Sequence, residues 1–117
     1  MIENPIKGMY VYFVGKNKQE ILVIKKHVLL DSKLFVVGTS SDYHSVIGVL
    51  RKADFDRMYW ETPEEAFNNW KNDGIKARTK LLKKVVEHYK EQSNLLKSDL
   101  SYVKTLSFGD LEIEMDL

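Results

Sequence analysis

The first sixty residues alternate short apolar runs with polar clusters. Met9–Val14, MYVYFV, is dense in β-branched and aromatic residues and gives way to Gly15-Lys16-Asn17-Lys18, which predicts a strand and a hairpin turn. The run ILVIKKHVLL from Ile21 is read as a strand on its Ile and Val content, since periodicity alone leaves helix and strand open. Asp31-Ser32-Lys33 supplies turn chemistry, Leu34–Val37 is a short apolar run, and Gly38–Asp42 is a second polar loop. Ser45–Leu50, SVIGVL, predicts a buried strand in which Gly48 marks a bulge or a close backbone approach. Arg57–Trp60 follows an Asp54-Phe55-Asp56 turn as one more short strand. Strands this short and numerous hide their edges by curling, so the expectation is a small SH3-like antiparallel barrel or twisted sheet. An OB-like barrel, or a plain sheet with helices on one face, is the alternative.

The pattern then turns helical. Thr62 is a good N-cap, Pro63 suits the first helical position, and Glu65 completes a capping box, so a helix starts here. Ala66, Phe67 and Trp70 recur at helical spacing, and Asn72-Asp73-Gly74 is expected to end the helix, with Gly74 suited to the left-handed position after it. Beyond it, Ile75, Leu82, Tyr89, Leu96 and Val103 repeat every seven residues, with Val86 and Leu100 between them. Uninterrupted to Leu106, that helix would run roughly 45 Å, longer than so small a domain covers. It either breaks near Gln92-Ser93-Asn94 into a helical hairpin or packs as a coiled coil on a second copy. The alternation of Leu111, Ile113 and Met115 with Glu112, Glu114 and Asp116 predicts a strand that pairs within the chain or with a neighbour. The whole reads as one α+β domain over 1–117, β-rich at 9–60 and helical at 63–106, with a tail from 107 to 117.

Composition narrows the chemistry. The 117 residues are 44% apolar and 30% charged, as in globular chains, and contain no cysteine, which removes disulfides and thiolate chemistry and fits the cytoplasm. The start of the chain lacks the pattern of a secretory signal, and no apolar run is long enough to span a bilayer. A net charge of +1 gives no global field, but the charge is unevenly spread, with residues 75–92 holding six Lys/Arg against two Asp/Glu.

No phosphate loop, nucleophile elbow or HExxH pair is present, and no cofactor or metal is expected. His27, Asp42 and His44 are the one set that a sheet might gather for acid/base or metal chemistry; ordinary surface histidines are the simpler reading. The expectation is therefore a non-enzymatic accessory or adaptor protein. It would bind a protein partner, or itself as a homodimer, through Leu82, Val86, Tyr89, Leu96 and Leu100. The alternative is a nucleic-acid-binding module using Lys76, Arg78, Lys80, Lys83 and Lys84, with Tyr10, Tyr12, Tyr43 and Tyr59 as stacking platforms.

The stretch Val46–Trp70 resembles a pattern in small uncharacterised proteins of Gram-positive bacteria, their phages and mobile elements. There, an SH3-like barrel feeds a short strand into an aromatic-x-T-x-E-E-A helix, matched here by Trp60, Thr62, Glu64, Glu65 and Ala66. The resemblance covers about a fifth of the chain. It implies the barrel-to-helix architecture and a phage or mobile-element origin, and it carries no catalytic residue.

Overall fold

In a computed structural model, which describes residues 2–39, 45–85 and 90–115, the chain is α+β: an open sheet comes first and helices follow. The elements are β1 (Tyr10–Lys16), β2 (Leu22–Asp31), β3 (Val36–Thr39), β4 (Val46–Val49), α1 (Lys52–Met58), α2 (Pro63–Val85), α3 (Lys90–Thr105) and β5 (Ile113–Met115). Two compact units are present, Met1–Phe67 with Leu111–Leu117, and Asn68–Asp110, and the boundary falls within α2.

The sheet runs β1-β2-β3-β4, antiparallel throughout, and β5 adds to β2 in parallel. Because β1 occupies one edge of β2, β3 and β5 share the other end to end: β3 meets His27–Asp31 and β5 meets Ile24–Lys26. The expected curled sheet is thus an open one rather than a closed barrel.

Polar side chains set the turns. Asn17 Oδ1 accepts from the backbone N–H of Gln19 and of Ile21, both at 3.0 Å, so strand β1 runs through Lys16 and the turn forms one step later than the glycine suggests. Asp31 Oδ1 does the same for Lys33 and Leu34 at 2.8 and 2.9 Å. These two backbone donors hold the Asp31 carboxyl below its ordinary value.

The core of this unit is built from Ile2, Val11, Leu29, Val37, Phe55 and Tyr59, with Met9, Phe13, Phe35 and Leu50 packed around it. Phe55 and Tyr59, one helical turn apart, carry α1 into it. This segment corrects the sequence expectation of a turn followed by a strand. Asp54 sits in the first turn of α1, where it pairs with Arg51 Nε at 2.9 Å and faces the positive helix end; only Trp60 bridges to Tyr12. A second correction concerns SVIGVL, which forms the strand β4 but leaves Val46, Ile47 and Val49 exposed, because no described strand lies beyond it. A Cβ on Gly48 would meet nothing within 4 Å, so no backbone approaches there, but the β3–β4 register does shift beside it, from Val37 opposite Gly48 to Gly38 opposite Val46, as the bulge expectation has it. The tight glycine is Gly38, whose Cβ would come 2.8 Å from the Ser45 carbonyl oxygen.

Thr62 caps α2 as expected, its Oγ1 accepting from the Glu65 N–H at 3.2 Å. The helix does not end at Asn72-Asp73-Gly74; it runs on to Val85. Nor does α3 break at Gln92-Ser93-Asn94, which lie inside it.

Candidate interaction surface on the helical hairpin

Three pairs fix how α2 and α3 meet. Lys71 Nζ donates to the Leu106 carbonyl at 2.6 Å, a Cβ on Gly74 would lie 3.9 Å from a Val103 methyl, and Arg78 Nε reaches Asp99 Oδ2 at 2.5 Å. Each step along α2 is matched by an equal step back along α3, so the helices run antiparallel, as in the hairpin expectation. Gly74 belongs to this contact. Arg78 curls back over it, its Nη1 donating to the Gly74 carbonyl at 3.2 Å, and a hydrogen in place of a side chain leaves room for that. Farther on, Asp110 closes the turn after α3, accepting from the Ser107 N–H at 2.8 Å and from its hydroxyl at 3.1 Å; these bonds hold its carboxyl low.

The heptad seam lies largely inside this arrangement. Val103 is buried, Leu100 is only 8% exposed, and Ile75, Leu82 and Leu96 are half-buried. Leu100 therefore makes its contacts within the chain, and Leu82 and Leu96 offer partial surfaces. Val86 and Tyr89 lie outside the described residues. Sequence reasoning missed a different set. By the 3.6-residue period and the three cross-helix pairs, Leu81 of α2 and Leu95 and Tyr102 of α3 fall on one flank of the hairpin. They are 48%, 73% and 56% exposed. Exposed Ala77 joins them, and Asn94, Ser98 and Thr105 stand along the α3 border of the flank. The signal was present in the sequence as a second, shorter seven-residue interval between Leu95 and Tyr102.

The basic cluster divides. Arg78 faces α3 and is neutralised by Asp99. Lys76, Lys80 and Lys83 point the opposite way, with Lys84 beside them, and all four are exposed. Among the proposed stacking tyrosines, Tyr59 is core and Tyr10 lies under the Lys26 ammonium, 3.9 Å from ring centre to Nζ. Partial burial, with Tyr10 nearby, raises the Tyr12 phenol above its usual range, and Tyr43 lies outside the described residues.

His27 is not a surface histidine. It is buried on β2, its Nδ1 2.7 Å from the Tyr59 hydroxyl, with the Phe13 ring 5.0 Å away centre to centre. Asp42 and His44 lie outside the described residues, and His27 stands in a core-forming aromatic cluster with Phe13 and Tyr59. Among the described residues, no three His, Asp or Glu side chains gather in a way that could hold a metal ion, and no helix is long and apolar enough to cross a membrane. Comparison with family models, with curated proteins and with solved structures finds no match to this chain.

Proposed function

We propose that this chain is a non-enzymatic accessory or adaptor protein that acts by protein–protein interaction through its C-terminal helical region. The observation that carries the reading is the apolar flank of Leu81, Leu95 and Tyr102, three large exposed side chains on one side of the hairpin, while Val103 and Leu100 are buried and Ile75, Leu82 and Leu96 half-buried. Contiguous apolar patches of a few hundred Å² mark interaction sites on soluble proteins. Three side chains fall well short of the roughly 800 Å² that each partner of a stable dimer contributes. The flank therefore suits a single amphipathic helix of a partner, laid between α2 and α3 with its own anchors at i, i+3 or i+4, and i+7. An origin on a phage or mobile element belongs to the same proposal and rests on the Val46–Trp70 resemblance.

The test is to place a photo-crosslinking residue at position 95 in the native cell, identify the captured chain, and measure its binding with both components purified. Leu95→Glu is expected to weaken that binding at least tenfold, while Lys76→Gln leaves it unchanged. Equal affinity for wild type and Leu95→Glu would overturn the reading, as would capture of nucleic acid alone.

A further inference from the structure

The side of α2 turned away from α3 is chemically unlike the rest of the hairpin. Lys76, Lys80, Lys83 and Lys84 stand there at i, i+4, i+7 and i+8, all exposed, and among the described residues none of them forms an ion pair. Successive members at i, i+4 and i+8 rise about 6 Å each along the axis, so the row extends about 12 Å. Arg78, which sequence alone grouped with them, is withdrawn to the other side and matched by Asp99. From Asn69 to Lys84 the remaining positions on this face are Asn69, Asn72 and Asp73, and Glu65 stands one turn before them, so the four ammonium groups face two carboxylates along α2.

We infer that this lysine row binds the phosphate backbone of a nucleic acid. Four exposed cations in a line track a chain of regularly spaced phosphates, and binding releases the counterions condensed on it. The face carries no large apolar side chain from Asn69 to Lys84, whereas a helix that enters a lipid surface needs an apolar face beside its lysines. Asn72 adds an uncharged donor suited to a phosphate oxygen. No base-reading side chain is part of the row, so the contact is sequence-independent. The inference concerns a different face from the Leu81, Leu95 and Tyr102 flank and stands or falls separately.

Fluorescence anisotropy with a labelled single-stranded oligonucleotide and with its duplex, over a salt series, tests it. The two arms decide which form is preferred. Binding is expected at low salt, and log affinity should fall against log salt with a slope of about −3 for four lysines. Lys80→Gln should reduce that slope by about one unit, and changing all four lysines to Gln should abolish binding. Lys97→Gln, an exposed lysine of α3, should change neither. All these positions are exposed, so circular dichroism should report an intact fold. The inference is overturned if neither oligonucleotide binds at low salt, if the fourfold variant binds like wild type, or if poly-glutamate competes more strongly than an equal charge of nucleic acid.

Discussion

The Nδ1 of His27 and the hydroxyl of Tyr59 stand 2.7 Å apart, tying the middle of β2 to the C-terminal cap of α1 through buried side chains. Phe13 packs edge-on to Tyr59 with ring centres 5.5 Å apart, which keeps the bond in an apolar setting where it is worth more than at the surface. Removing the hydroxyl keeps the ring packing and deletes one bond to a buried imidazole. Tyr59→Phe is expected to cost about 1–3 kcal/mol, read as a lower denaturant midpoint at unchanged m-value.

The sign of a Gly74→Ala effect reports the course of α2. If Gly74 ended a helix in a left-handed conformation, alanine would be strained there and would destabilise. In the continuous helix alanine gains about 0.8–1.0 kcal/mol of helix propensity. Against this, its Cβ would come 2.8 Å from Arg78 Nη1, the far end of a flexible side chain that can move while Nε keeps Asp99. A modest net rise in thermal midpoint is expected, and a fall is the outcome that a helix ending at Gly74 would give.

Acid should loosen the β2–β3 turn. The Asp31 carboxyl is held below its unfolded value by the Lys33 and Leu34 backbone donors. Its contribution is therefore complete above the ordinary carboxylate pKa and is lost as pH falls through the depressed folded value. Unfolding midpoints measured from neutral pH downward should drop more steeply in wild type than in Asp31→Asn, the two curves converging at the acid end.

How far the sequence could be read follows from the range of each signal. The capping box at Thr62 and the β-rich composition of β1 and β2 act locally, and they were legible. Gly74 was misread because its role depends on Arg78 and on Val103, which lies far along the chain. The α1 segment was misread because Asp54 and Asp56 read locally as turn formers, while the i, i+4 spacing of Phe55 and Tyr59 gains its meaning only against the sheet. At the hairpin, the heptad count found the apolar seam but not which side of it stays uncovered. That is decided by the pairing of Arg78 with Asp99, a relation between two helices that neither helix states alone.

The shared edge of β2 sets an order on synthesis. β1, β2 and β3 leave the ribosome within the first third of the chain, while Ile113–Met115, which complete the pairing of Ile24–Lys26, are made only after both long helices. A contact of such long sequence separation is slow to form and lets the sheet finish last. Until then part of an edge stands open to other nascent chains, and its middle and last residues are Lys25 and Lys26, the kind of charge that keeps a waiting strand from pairing with the wrong neighbour.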